Sequence, residues 1–393
     1  MRFSWLILLL FFPIITLAQN GIITGKVTRA DNKAPLPLAN VFLSNTTSGT
    51  SSASDGTFTL SHLKPGQYTL VVSILGYEDY STTVSVAQEP ININIELSAK
   101  VTELHEVIVT TPANWKKNYD EFVKEFIGTD DNAKQCYVLN PRSVNLIYHK
   151  PQQELEAYTD EFLVVDNQAL GYRVKFLVKE FTSSKLTNIT GYSGQRLFQA
   201  LPGTKKQLEE WKKKREEAYY GSPMHFYRSL YTGKLDSDGF VVMKLTRQNN
   251  VNRPQEIVIQ QKIKKFNDGM HRDSINYWIG MQNMSKYFHE HLDRNPQPLN
   301  TFLFSTKQDG IYAVSFSDCL YVIYTKKHET SDFKDLYRPL DMETYETSIV
   351  TTAKPYFFDT NGVVFGDSAP LYEGTWSKSK LSDLLPVDYT PGD

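Results

Sequence analysis

The feature that most constrains this chain is a period of two. Between Gly21 and Leu97, apolar side chains recur at alternate positions, and turn-forming residues interrupt them at short intervals. Ile23, Gly25 and Val27 share one face, as do Val41 and Leu43, and Phe58 and Leu60 follow the turn Ser54-Asp55-Gly56. Tyr68, Leu70, Val72 and Ile74 then alternate with Thr69, Val71 and Ser73, and Val84, Val86, Ile91, Ile93, Ile95 and Leu97 complete the series. Successive side chains of a strand point to opposite faces, so the pattern predicts six or seven short strands, each with one buried and one solvated face. Such strands bury their apolar faces by stacking two sheets, and the expected unit is a small all-β sandwich over 20–98. Pro65-Gly66 reads as a turn and Gly76 as a positive-φ exit. Tyr77 and Tyr80 are candidates for an exposed aromatic edge.

Taken together, Gly25, Pro37-Leu38-Ala39-Asn40-Val41, Asp55-Gly56-Phe58, Gly66-Tyr68 and Gly76-Tyr77 resemble the carboxypeptidase-regulatory-like, transthyretin-like domain. The resemblance implies a seven-stranded Greek-key sandwich with an accessory or interaction role and no active site of its own. Domains of this family are common at the N-terminus of TonB-dependent outer-membrane transporters of Gram-negative bacteria. Residues 104–110 are similar to the segment that precedes or forms the energy-coupling box of those transporters. The remainder of the chain lacks the long series of ~10-residue amphipathic strands that a barrel needs. Residues 99–111 are therefore read as a linker or a last strand, one that could add to a partner's sheet edge.

The N-terminus predicts export. Arg2 precedes an apolar run over 6–15, broken only by Pro13, and Thr16-Leu17-Ala18 offers small residues for cleavage after Ala18. The run is short for a bilayer span, and no later apolar stretch reaches spanning length, so no transmembrane segment is expected in the mature chain. A formal net charge of −2 without a long basic run argues against electrostatic capture of nucleic acid or anionic lipid. With two cysteines, Cys136 and Cys319, no disulfide framework is expected; they form either a single bridge or two buried free thiols. Aromatic residues make up 13% of the chain, which favours β-structure over a helical bundle.

From 112 to 393 the pattern changes to α+β, mainly antiparallel sheet with a few helices. Trp115, Tyr119, Phe122, Val123 and Phe126 fall on one helical face, and Gly128 ends the run. Strands are expected at 144–148, 155–159, 162–165 and 172–181. A helix opens at Thr204 with a Thr204/Gln207 capping box and carries the stripe Leu208, Trp211, Arg215, Ala218 and Tyr219. Its Glu209/Lys213 and Glu210/Lys214 pairs mark a solvated face. Ser222-Pro223 caps a second short helix through 231. Further strands are expected at 240–245, 256–263, 311–316, 320–325 and 347–352, a helix at 275–292, and a hairpin at 356–364 turning at Asp359-Thr360-Asn361-Gly362. A short helix and an extended tail close the chain. Cys136, Asn140-Pro141, Leu170-Gly171-Tyr172 and Trp211…Arg215…Ala218-Tyr219…Gly221-Ser222…His225-Phe226 resemble exported Gram-negative proteins in which such a sandwich precedes an α+β region. That resemblance implies no activity.

Arg215 stands in an otherwise apolar stripe. Leaving a buried guanidinium unpaired costs several kcal/mol, so it needs a carboxylate or a ligand anion. The expectation is an internal salt bridge to an Asp or Glu of the sheet. The alternative is a ligand site made of Arg215, Tyr219, His225 and Arg228.

Catalytic patterns are incomplete. No histidine has Glu three residues later, and His-Glu-x-x-His is absent. His289-Glu290-His291-Leu292-Asp293 begins a His-x-His-x-Asp-His pattern, but Arg294 replaces the last histidine. On the expected helix the two histidines would also point roughly 200° apart. Gly191-Tyr192-Ser193-Gly194-Gln195 lacks the last glycine of a nucleophile elbow, and Ser377-Lys378-Ser379-Lys380 lacks the companions of a Ser-x-x-Lys site. No catalytic residue, cofactor or metal is therefore expected. The predicted role is an exported, non-enzymatic binding or assembly protein, periplasmic or outer-membrane associated, with an outer-membrane protein complex, a glycan or a peptide as partner. The alternative is a hydrolase with scattered residues, recognisable by a deep pocket with converging carboxylates or a Ser/His pair.

Overall fold

The computed structural model describes residues 21–100, 112–267, 269–330, 335–366 and 369–392. The expected export signal at 1–18 and the segment at 104–110 lie outside the described residues.

The period-two text forms seven strands: β1 (Gly21–Arg29), β2 (Asn40–Leu43), β3 (Gly49–Ser51), β4 (Thr57–Leu63), β5 (Gly66–Ser73), β6 (Tyr80–Val86) and β7 (Ile91–Leu97). They make two sheets, β4-β1-β7 and β3-β2-β5-β6. Ile23, Val27, Val41, Leu43, Leu70, Val72, Ile95 and Leu97 fill the space between them. Each side chain so buried contributes about 1.5–3 kcal/mol. β1 and β7 run parallel with Gly25 opposite Ile93, and a Cβ at Gly25 would meet the Ile93 carbonyl oxygen at 1.8 Å. Gly76 takes φ +86, as the turn reading requires. Tyr77 and Tyr80 are half-buried against the sandwich core.

The outer face of β2 and β5 departs from expectation. Val71 and Phe42 should meet solvent; instead both are fully buried, packed with Leu197 and Phe162 of the second unit.

That unit begins with α1 (Pro112–Phe126) and a six-stranded antiparallel sheet: β8 (Cys136–Val138), β9 (Val144–His149), β10 (Glu154–Thr159), β11 (Leu163–Asn167), β12 (Tyr172–Ser184) and β13 (Ile189–Ala200). α1 lays Phe122 edge-on to Phe181 at 5.0 Å and Phe126 edge-on to Phe176 at 5.2 Å. β13, absent from the sequence-based strands, pairs along the whole of β12, with a bulge between Val178 and Glu180. Next come α2 (Lys205–Tyr219), with its Thr204/Gln207 capping box formed, α3 (Pro223–Thr232) and α4 (Leu235–Asp238). The remaining elements are β14 (Phe240–Asn249), α5 (Glu256–Phe266), α6 (Arg272–Asn283), β15 (Tyr287–Asp293), β16 (Leu303–Ser305), β17 (Ile311–Val314), β18 (Cys319–His328), β19 (Tyr345–Thr351), β20 (Tyr356–Asp359), β21 (Val364–Phe365), β22 (Leu371–Gly374) and α7 (Thr375–Lys378). They supply a sheet β15-β14-β18-β19-β22 and a smaller one β16-β17-β20-β21, with a core of Phe226, Tyr227, Phe240, Val322, Tyr356 and Trp376 between strands and α3.

Two expected elements change type. Residues 256–263 are helical in α5, not a strand. Ile259 and Ile263 stand one turn apart, Glu256 occupies the first turn, and Lys264 and Lys265 the last, all of which suit a helix and its dipole. The expected helix at 275–292 ends with α6, because residues 287–293 instead pair with β14, Arg247 opposite Glu290 and Lys244 opposite Asp293. His289 and His291 therefore share one face of a strand, their rings stacked 6.4 Å apart, rather than diverging. Among the described residues no three metal-binding side chains gather closely enough to hold an ion. Both cysteines are free thiols. Burial pushes the Cys136 thiol up to about 12.

Candidate functional site

α2 is seated on the corner between β11 and β12. Gly171 takes φ +69 there, and a Cβ at this position would stand 2.2 Å from the Trp211 ring. Trp211 Nε1 donates to the Gln168 carbonyl at 2.7 Å. One turn on, Arg215 Nε donates to the Leu170 carbonyl at 2.7 Å and Nη2 to the Gly171 carbonyl at 3.3 Å, and the guanidinium lies 4.0 Å over the Tyr172 ring. The expected carboxylate partner is not there. Among the described residues no carboxylate pairs with Arg215; two carbonyl dipoles and an aromatic face meet its charge, which is only half-buried.

The other three sequence candidates come together at the α2–α3 corner. The Tyr219 ring lies 4.9 Å from His225 and 5.5 Å from the Arg228 guanidinium. His225 Nδ1 accepts from the Gly221 N–H at 3.2 Å, and burial pushes its pKa down to about 4, so the ring is neutral at pH 7. Arg228 acts as a three-pronged clasp: Nε donates to the Asn361 carbonyl at 3.0 Å, Nη1 to Tyr389 at 3.0 Å and Nη2 to Val387 at 2.8 Å. The clasp holds the chain end against α3. Arg215 stands apart, on the Leu170–Tyr172 corner.

Beside this corner the sandwich, β13 and the last residues of the chain meet at Asn45. Asn45 has φ +65, its N–H donates to the Arg196 carbonyl at 2.7 Å, and its own carbonyl accepts from the Val387 N–H at 2.7 Å. The Phe198 N–H donates to the Thr46 carbonyl at 2.9 Å, so the β2–β3 turn adds briefly to the edge of β13. Val387 packs into the sandwich core, while Leu381, Leu385 and Tyr389 pack into the core beneath α1. The Thr47 N–H donates to the Asp388 carboxylate at 3.0 Å and Lys64 Nζ to the Asp388 carbonyl at 3.0 Å.

These elements surround a cavity of about 290 Å³. Its apolar wall includes Met224, Val364, Leu384 and Trp376, and the N-terminal end of α3 borders it through Ser222 and Pro223. Arg196 reaches it from β13. Arg196 Nε donates to Asn45 Oδ1, the Tyr192 phenol stands beside it, and the guanidinium stands 5.4 Å over Phe176. Among the described residues it has no carboxylate within ion-pair distance, and desolvation pushes its pKa down.

Asp383, with Ala218, Ser222, Pro223, Trp376 and Ser379, lines both this cavity and a second basin of about 380 Å³ that also holds Asp130, Glu329, Glu346, Lys327 and Lys378. Burial, and then the Asp130 carboxylate to which it is hydrogen-bonded, push the Asp383 carboxyl up to about 6. Asn132 Nδ2 donates to Asp383 at 2.8 Å, and Ser382 Oγ to Asp130 at 3.2 Å. Burial raises the Glu346 carboxyl as well, against the lowering effect of Lys327 and Lys378. Neither Arg196 nor the Asp130–Asp383 pair figured among the sequence candidates. Arg196 had a legible signal: Tyr192, Gly194, Arg196 and Phe198 alternate along one face of β13. The carboxyl pair had none, since about 250 residues separate its members.

Residues 23–109 match the model of the CarboxypepD_reg-like domain. No curated protein matches the chain. Among solved structures, the backbone protein of pilus 2b from group B streptococcus is similar at 24% identity, over 21% of this chain and 42% of that one, with a TM-score of 0.18. A minor pilin of Streptococcus agalactiae is similar at 18% identity over 22% and 48%, with a TM-score of 0.19. A type II cohesin–X-dockerin complex of Acetivibrio cellulolyticus is similar at 16% identity over 31% and 83%, also at 0.19. The chain spans less than half the length of the two streptococcal pilus proteins, and likeness at these scores transfers no role.

Proposed function

We propose that this protein is an exported, non-enzymatic binding or assembly protein of a Gram-negative envelope, periplasmic or outer-membrane associated, whose ligand enters the cavity at Asn45. The observation that carries this reading is the cavity itself: apolar walls, one guanidinium without a carboxylate, and a position where three separate stretches of chain must meet. Pockets of this make-up, mostly apolar with few convergent polar groups, are typical of ligand sites. Neither histidine nor cysteine stands on its described walls, so it offers no imidazole base or thiol nucleophile. The apolar leader at 6–15 supports export, and the family match at 23–109 supports an accessory first domain. In this scheme Arg228, Tyr219 and His225 hold the floor of the site in place. Native mass spectrometry of protein purified from its host under mild conditions tests the reading. A co-purifying small molecule that is lost in Val364→Trp, which fills the cavity, supports it. Identical ligand-free masses for both proteins would remove it, and recovery in the cytosolic fraction would remove the envelope assignment.

A hydrolase is the second reading, favoured by one observation. The second basin holds Asp383, whose carboxyl is raised to about 6, together with Glu346, whose carboxyl burial also raises, and Glu329. Such pairs serve general acid–base chemistry. Turnover of chromogenic glycosides or esters that disappears in both Asp383→Asn and Glu346→Gln would establish it; equal background rates in all three proteins would exclude it.

A further inference from the structure

Among the described residues no carboxylate balances the charge of the Arg196 guanidinium. Arginine keeps its proton in any folded environment, so the group stays cationic. Among the described residues its neighbours are a neutral amide, a phenol and an aromatic face. Arg196 is half-buried, and drawing such a cation even partly out of water without a counter-ion is unfavourable. Arg228 is met by three carbonyls and Arg215 by two; among the described residues Arg196 donates to the Asn45 amide oxygen alone, with the Tyr192 phenol beside it. Asp383 lines the same cavity, yet it is committed to Asp130 and Asn132 and makes no ion pair with Arg196.

The cavity supplies two further constraints. The N-terminal end of α3 borders it, the end at which a helix dipole favours negative charge. Its volume of about 290 Å³ has room for about ten groups the size of a water or methylene. Met224, Val364 and Leu384 form a wall that an extended hydrocarbon would cover.

We infer that the junction cavity binds a small organic monoanion with an apolar body, its carboxylate paired with Arg196 and its hydrocarbon lying against Met224, Val364 and Leu384. This rests on the cavity being the ligand site, and names the ligand class. The anion completes the hydrogen bonding of the guanidinium, and a carboxylate can take two of its N–H groups at once.

Calorimetric titration with octanoate and with octanamide, its neutral counterpart of equal size, tests the assignment. Octanoate should bind at least about tenfold more tightly than octanamide, as a charge-assisted pair requires. Arg196→Gln should abolish that preference while leaving octanamide binding unchanged. Arg196→Lys should retain part of it. Val364→Trp should abolish binding of both. If the two compounds bind equally, or Arg196→Gln keeps the preference, the pairing with Arg196 is wrong although the cavity remains a ligand site. If neither binds, the cavity itself is wrong as the ligand site. Should Arg196→Gln fail to fold, the lysine variant decides: full preference for octanoate, or its absence in both wild type and Arg196→Lys, overturns the bidentate pairing.

Discussion

Asp383→Asn should make this protein more stable at neutral pH, although it removes a carboxylate that accepts from Asn132 at a half-buried site. The Asp383 carboxyl is raised from 3.8 to about 6, first by burial and then by Asp130. The folded protein thus holds this proton more tightly than the unfolded chain does. Its stabilising contribution is complete below about pH 4 and is lost as the pH rises through about 6. Above that, two ionised carboxylates face each other, a cost of at most about 3 kcal/mol that water in the basin reduces to about 2. An asparagine carries no charge, its Oδ1 can still accept from Asn132, and its Nδ2 can donate to Asp130. Urea unfolding followed by tryptophan fluorescence measures the difference between variant and wild type at each pH, which cancels the other titrating groups. The variant should match the wild type near pH ~4 and exceed it by about 2 kcal/mol near pH ~7.5. A difference that does not change with pH, or a variant less stable at neutral pH, would refute the shared-proton account.

Three other outcomes are expected. Arg228→Met removes three hydrogen bonds to backbone carbonyls and should cost about 2–4 kcal/mol, with faster carboxypeptidase trimming of the chain end; unchanged trimming would show that the clasp does not hold it. Val71→Asp places a charge in the fully buried contact with Leu197. Calorimetry should then resolve separate transitions for the sandwich and the second unit, where a single cooperative transition at the wild-type temperature would contradict the packing. The Cys136 thiol, pushed up to about 12, should alkylate with iodoacetamide about a thousandfold more slowly than a free cysteine, as peptide mass spectrometry can follow.

What could be read from local text was set by local physics. Alternation with period two produced the seven-strand sandwich, because strand geometry imposes that period whatever lies beyond it. Thr204 and Gln207 announced the start of α2 because a capping box closes within four residues. Where the text was ambiguous, pairing decided. Residues 287–293 became a strand only because β14 offered an edge, and the β-branched run of α5 became a helix that buries Ile259 and packs on α6. The outer face of β5 shows the same limit, since Val71 reads as solvated until Leu197 and Phe162 cover it. The candidate site lies still further from local rules. Arg215 could be flagged as a cation in an apolar stripe, but only the tertiary structure supplies the two carbonyls and the ring that satisfy it. Asn45, Arg196 and the segment carrying Asp383 and Val387 come from three distant stretches of the chain. Sequence determined which short segments would bury an apolar face; the meeting of those segments alone decided that one guanidinium would be left at a cavity wall, because charge balance in a folded protein is set by distance in space rather than along the chain.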